Sequence, residues 1–523
     1  MPFPTRFRIF IILLAGIAAS LVFLATSNFG PGVSTDGARY LATAENLLAG
    51  RGDVDFLGDR LTQFPPLYPL MIAALRFVTG FDVLIAGQWI NVIAIFLVVL
   101  FSGLLFEASF PTSQSVAIGC SLIVAFSLPL MQVSANIASD SLFMVGALAF
   151  LLTSQRYLGS PVRARWLVLI VVAALACFVR YAGFALVISG AAATVAVWRS
   201  KPLRAIGEAL AFTLLSSIPI TMWGFFHNLP VTGALFGRHA NAEPIGNSIS
   251  AIEKVVSWFF PAAVLNLTPV WMYPIAIIGF LLALGNKKRW HAWLQKAQSS
   301  AILPSLIFIL VYGAMLIFAV STSEHRFLSS QRIHVIILPS LLVAAVITAR
   351  SLLPRPSASW LHFIFGLFGF WLAFPAGQVW NYVSSSREKG DVSEYNIFNT
   401  RALVESDIVR KLRESSLNEF ERIYSNNEAA AWFYVRREIR SLPRCQLDLC
   451  ADYIKAAEAF PGWPSPSERA ILLWFERELD YKDQIPTPEK LQEVIPLEII
   501  FLGRNGDMYL LAPGLDDDNR PPP

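Results

Sequence analysis

Long apolar runs recur along this chain, each separated from the next by a short polar stretch. A run of about 18 residues, rising 1.5 Å per residue as a helix, reaches across a hydrocarbon core roughly 30 Å thick. Backbone polar groups in such a core must find partners within their own segment, so the runs are expected to be helices. They are Ile9–Thr26, Val83–Phe106, Val116–Met131, Ser141–Tyr157, Trp166–Val179, Phe184–Trp198, Ile206–Phe226, Leu267–Leu284, Ile302–Val320, Ile333–Ile347 and Trp360–Pro375. About eleven spans are therefore expected. Only 15% of the residues are charged, against about 25% in soluble domains. A water-soluble fold is excluded, and no nucleic-acid partner is expected.

Lys and Arg collect at the cytoplasmic ends of spans and so fix their direction. Arg6 and Arg8 precede the first run, which is too long for a signal-peptide core. It is expected to remain as a span with a cytoplasmic N-terminus. Alternate loops then carry Arg163 and Arg165, next Arg199, Lys201 and Arg204, next Lys287, Lys288, Arg289 and Lys296, and finally Arg350 and Arg355. The loop Glu107–Gln114 departs from the rule, having no base. The same alternation puts the loop after the first span, the break at Arg180, the segment His227–Trp258, the segment Ser321–Arg332 and everything after Gln378 on the outer side.

The loop Val33–Leu75 concentrates Asp36, Arg39, Tyr40, Glu45, Asp53, Asp55, Asp59 and Arg60 in a chain poor in charge. Ionisable groups at a bilayer face are costly to keep and mark functional sites. Asp36 is the candidate general base, with an ordinary helix N-cap as the alternative, since Ser34, Thr35 or Asp36 could cap a helix running to Leu48. Asp53, Asp55 and Asp59 read as solvated loop acids among glycines. A helix from about Pro66 to Val78 is too short to cross and should lie along the interface with Tyr68 at headgroup level. Arg180, Arg326 and Arg332 fall at outer span ends, where guanidinium groups suit a lipid phosphate. Arg180 interrupts an apolar stretch and is read as functional, whereas Arg332 is read as snorkelling to the headgroups.

Beyond Gln378 the composition turns polar. Helical signals at Ile408–Phe420 and Glu428–Ile439 flank the short strand Glu421–Ser425. The apolar segments around Ile471–Glu476, Pro496–Gly503 and Asp507–Pro513 read as further strands, the last two joined as a hairpin through Asn505-Gly506. A small α/β domain over 378–515 is expected, with a disordered tail at 516–523 rich in Asp and Pro. Cys445 and Cys450 lie in this outer region, where disulfides persist. A structural disulfide between them is expected, with zinc or two free thiols as alternatives. Cys120 and Cys177 lie in apolar runs and read as core residues. The six histidines show no metal-ligand spacing, no Gly-rich phosphate loop follows a strand, and no cofactor is expected; a divalent metal finds no support in the sequence.

Several short motifs occur in a fixed order: Asp36-Gly-Ala-Arg-Tyr40, Asn46-Leu-Leu-Ala-Gly50, Pro65-Pro-Leu-Tyr-Pro69, Ser139-Asp140, Arg180-Tyr181-Ala-Gly183, His227-Asn228 with Thr232-Gly233 and Arg238, Arg326-Phe-Leu328 with Leu338-Pro339, and Ser425-Asn426-Asn427. In that order they resemble the GT-C glycosyltransferases, in the branch holding protein O-mannosyltransferases and the lipid A aminoarabinose transferase. Two departures stand out. Gly37 follows Asp36 where many relatives have a second acid, and His227 stands where an Arg is common. The resemblance implies an α-helical polytopic membrane domain over 1–377, with interfacial helices in its first outer loop (27–82), followed by the extracytoplasmic α/β domain. It implies a hexosyl- or pentosyltransferase of a bacterial inner membrane, moving a sugar from a polyprenyl-phosphate donor to a lipid, glycan or protein acceptor. Asp36 falls on the family's catalytic acid, and Arg39, Tyr40, Arg60, Asp140, Arg180, Tyr181 and Arg326 are expected to bind substrate. A transporter or lipid flippase is the rival class; no internal repeat supports it, and the long charged loop favours an enzyme at the membrane face.

Overall fold

The computed structural model describes residues 5–236, 287–322, 331–352, 358–392, 398–442, 469–476, 487–492 and 497–511. The apolar runs form helices. They are α1 (Thr5–Ala25), α4 (Val83–Ser109), α5 (Gln114–Ala125) with α6 (Leu128–Ser134), α7 (Asp140–Gly159), α8 (Arg163–Val179), α9 (Phe184–Val197) and α10 (Pro202–Trp223). Further along come α12 (Leu303–Thr322), α13 (Leu338–Leu352) and α14 (Ala358–Lys389), preceded by the charged helix α11 (Lys287–Ala297). Two shorter helices, α2 (Thr35–Leu48) and α3 (Leu67–Thr79), occupy the loop after α1. Every expected span coincides with a helix except Leu267–Leu284, which lies outside the described residues. Among the described residues five helices are long and apolar enough to cross a membrane, or six when the bent pair α5–α6 is taken as one span. That pair was expected as the single span Val116–Met131. It bends by 49° because Pro129, at the start of α6, offers no backbone N–H to the preceding turn.

The ends of the helices sort into two groups. At one end Arg8 pairs with Glu107 at 3.3 Å, Arg163 with Glu208 at 2.8 Å, and the Trp293 indole donates to Thr348 at 3.2 Å. The loop Glu107–Gln114, which has no base of its own, thus receives one from Arg8. The other end gathers α2, α3, the start of α7 and the ends of α8 and α10. Between the ends, Phe106, Phe143, Phe150, Trp166 and Phe308 are fully buried in one apolar core.

The helix α3 forms where a helix was expected and stops at Gly80, whose φ of 73° a side chain would resist. Its Tyr68, expected at headgroup level, faces into the protein. It is fully buried, donates to Asn91 Oδ1 at 3.0 Å and meets the Tyr40 ring edge-on at 5.0 Å. Packing of α3 between α2 and α4 turns Tyr68 inward and leaves Leu70, Phe77 and Val78 exposed.

The chain after α14 builds a sheet from β1 (Arg422–Ser425), β2 (Arg440–Ser441), β3 (Ala470–Phe475), β4 (Leu497–Phe501) and β5 (Gly506–Leu511), in the order β2-β1-β3-β5-β4. Strand β1 runs parallel to β2 and β3, while β5 is antiparallel to β3 and β4. The expected hairpin is β4–β5. Two helices, α15 (Asp407–Glu414) and α16 (Glu428–Val435), lie beside the sheet. Their Ile408, Val409 and Trp432 share an apolar cluster with Tyr40, Leu41, Tyr68 and Ile72, so the sheet region is packed onto the first loop. Cys445 and Cys450 lie outside the described residues.

Candidate active site

The loop Val33–Leu75 was expected to hold an interfacial helix, and α2 begins at Thr35 with Asp36 in its first turn. No side chain caps that turn: Ser34 occupies the cap position and its hydroxyl makes no capping bond. The N-cap alternative for Asp36 therefore fails. Its carboxylate instead reaches Arg332, whose Nη1 lies 3.3 Å from Asp36 Oδ2. A second acid at position 37 would be crowded, since a Cβ there would stand 3.1 Å from the Ile137 carbonyl oxygen.

Asp140 opens α7 and is completely buried. It holds two guanidinium groups at once: Arg180 Nη1 at 2.8 Å from Oδ1, and Arg332 Nη2 at 2.8 Å and Nε at 3.2 Å from Oδ2. Arg180 reaches this point because α8 ends there and its backbone becomes extended, so the side chain leaves the helix axis. Arg180 Nη1 also donates to Ser139 Oγ at 3.4 Å, and the Tyr40 hydroxyl shares Ser139 Oγ at 3.2 Å. Asp36, Arg332, Asp140 and Arg180 thus form one charge-alternating chain with two acids and two bases. Arg332 was expected to snorkel. Instead it is the central member, held between the carboxylates of Asp36 and Asp140. Burial pushes the Tyr40 phenol well above its ordinary pKa, so it stays a neutral hydrogen-bonding group.

Around this chain the loop is more ordered than a solvated stretch. Asp55 is buried, its Oδ2 lying 3.6 Å from Arg39 Nε and its Oδ1 accepting from Leu57 N at 2.8 Å. Burial raises the Asp55 carboxyl above its usual value, and Arg39 offsets part of that rise. Arg39 also donates to Gln63 Oε1 at 2.6 Å and stands over the Phe56 ring. Asp53 pairs with His227 Nε2. His227 in turn meets Asn228 Oδ1 at 2.9 Å and stacks on Trp223, on a π-helical turn that ends α10. Of the three acids read as solvated, Asp53 and Asp55 are structural ties and only Asp59 is exposed. Tyr181 accepts from Asn228 Nδ2 at 2.9 Å and donates to the Thr62 carbonyl at 3.3 Å, linking α8, α10 and the loop. Arg60 is exposed on a backbone bridge with Val54, away from the chain of charges in its contacts. Arg326 and Arg238 lie outside the described residues. Among the described residues no group of three His, Cys, Asp or Glu side chains could hold a metal ion.

Asp36, Asp140 and Arg180 stand together as the sequence suggested, and Arg332, expected to face the headgroups, links them.

No protein-family model matches this chain, and no curated protein matches it significantly. Solved structures do. The fold is similar to that of ArnT from Cupriavidus metallidurans in the apo state, with a TM-score of 0.57 at 12% identity over 96% of this chain and 97% of that one. It is equally similar to ArnT from the same organism bound to undecaprenyl phosphate, with a TM-score of 0.57 at 12% identity, covering 96% and 98%. An oligosaccharyltransferase, AglB from Archaeoglobus fulgidus in complex with an inhibitory peptide and a dolichol-phosphate, matches with a TM-score of 0.48 at 12% identity, over 83% of this chain and 64% of that one. The ordered motifs and the full-length match to ArnT agree: the chain has the GT-C fold.

Proposed function

We propose that the protein is a membrane glycosyltransferase that moves a sugar from a polyprenyl-phosphate donor to an acceptor hydroxyl on the outer face of a bacterial inner membrane. The observation that carries this reading is the carboxylate of Asp36 beside the paired guanidinium groups of Arg332 and Arg180, at one end of an apolar bundle. A phosphate diester needs cationic hydrogen-bond donors at the headgroup level, and two arginines held rigid by one buried acid supply them. An acceptor hydroxyl needs a base within reach of the same point, and Asp36 stands on the neighbouring helix.

In this reading the acceptor O–H proton passes to Asp36 as its oxygen bonds to the anomeric carbon. The bond from that carbon to the phosphate oxygen breaks, and the electron pair leaves on polyprenyl phosphate, whose charge Arg180 and Arg332 hold. Arg39, Tyr40, Tyr181 and Arg326 are assigned to substrate binding in the same proposal, and the α/β region over 378–515 is placed outside. The ArnT structure bound to undecaprenyl phosphate supports a lipid-phosphate ligand for this fold.

The test is release of polyprenyl phosphate from a sugar-labelled polyprenyl-phosphate donor by the purified protein in lipid vesicles. Acceptor-dependent release is expected. Movement of the intact donor across the vesicle bilayer without bond cleavage would overturn the reading and support the flippase alternative.

A further inference from the structure

The segment Phe29–Val33, which delivers the chain from α1 into α2, is held by one side chain from far away in sequence. Asn399 is buried, and it uses every polar group it has on this segment. Its Nδ2 donates to the Phe29 carbonyl at 2.7 Å and to the Pro31 carbonyl at 2.7 Å, and its Oδ1 accepts from Val33 N at 3.1 Å. The backbone adds a further bond beside it, from Phe398 N to the Val33 carbonyl at 2.9 Å. The other side of the segment is bridged to residues ahead of α7: Gly32 N donates to the Ala135 carbonyl and Ile137 N to the Gly32 carbonyl. A Cβ at Gly32 would fall within 2.6 Å of both Asn136 and Val392, so the segment runs in a channel with no spare room.

We propose that Asn399 is a positioning residue for Asp36, setting the start of α2 so that the carboxylate meets Arg332 and the acceptor. Three backbone groups with no helical or strand partner are satisfied by one amide whose donors and acceptor are all matched. Asp36 follows three residues after Val33, too short a distance to absorb a shift. Through Asn399, the chain between α14 and α15 sets the geometry of the first loop. The proposal rests on the reading of Asp36 as the base.

Asn399→Asp keeps the shape and removes both N–H donors; Asn399→Ser is the milder variant should the first fold poorly. Two readouts are taken on each, with Asn28→Ala, which loses two exposed bonds, one to the Arg387 carbonyl and one from Ser27 Oγ, as the control. Amide hydrogen exchange over residues 29–38 is expected to speed up by about 10-fold or more in the Asn399 variants, with the rest of the bundle unchanged. Turnover is expected to fall by about 10–10²-fold, with binding of undecaprenyl phosphate held within about 2-fold. Unchanged exchange over 29–38, or equal losses of binding and turnover, would overturn the proposal. Wild-type protein without turnover would overturn the glycosyltransferase reading instead, and the exchange measurement would then decide the clamp by itself.

Discussion

Asp140 precedes Arg332 by 192 positions, yet their side chains stand 2.8 Å apart. No spacing rule in a sequence links two such residues. Asp36, Asp140 and Arg180 were legible because each is a charge at the edge of an apolar run, and short motifs surround them. Arg332 was not, because the same position serves equally for a side chain that reaches out to headgroups, and only its partners decide. The same holds for Asp55, whose burial depends on Arg39 and Phe56 folding over it. Arg332→Gln removes the cation between two carboxylates and leaves Asp140 with Arg180 alone. Breaking a buried pair costs about 3–5 kcal/mol, reduced here because Arg332 is about a fifth exposed. A lowered melting temperature in detergent together with loss of turnover is expected. A variant that melts as the wild type and turns over normally would remove Arg332 from the site.

At the level of the elements, the length of the apolar runs made the helices legible, with the break before α9 at Tyr181–Gly183 but not the bend between α5 and α6. It could not show which face of α3 packs inward, since both faces are apolar. Tyr68→Phe tests the observed packing. Removing the hydroxyl leaves Asn91 Oδ1 without that donor, and about 1–3 kcal/mol of stability should be lost; no loss in a thermal melt would contradict the inward packing of Tyr68. The loop also carries a pH signature. Burial raises the Asp55 and Glu45 carboxyls in the folded protein, with Arg39 and Arg436 opposing the shift. A raised carboxyl favours the protonated form in the fold, so its contribution is present at low pH and lost as pH rises through the folded value. Stability is expected to hold or rise as pH falls from neutral toward the carboxylate range, and Asp55→Asn is expected to flatten that slope. A melting temperature that falls steadily over the same interval, in wild type and variant alike, would contradict it.

At the scale of the whole molecule, alternation of helix ends gathers the acids and bases of Asp36, Asp140, Arg180 and Arg332 at one end and Arg8, Arg163 and Trp293 at the other. The charge pattern of the loops then predicts that the end with Asp36, and the sheet packed on it, faces outward. A C-terminal alkaline phosphatase fusion is expected to be active and a C-terminal green fluorescent fusion dark; the reverse would turn the molecule over. The central claim is that Asp36 activates the acceptor while the two arginines hold the phosphate. Its most direct test measures, on the same purified Asp36→Asn protein in vesicles, sugar transfer from a polyprenyl-phosphate donor and binding of polyprenyl phosphate. The account predicts transfer reduced by about 10²–10⁴-fold with binding nearly unchanged. Transfer at close to the wild-type rate in correctly inserted Asp36→Asn protein would contradict it.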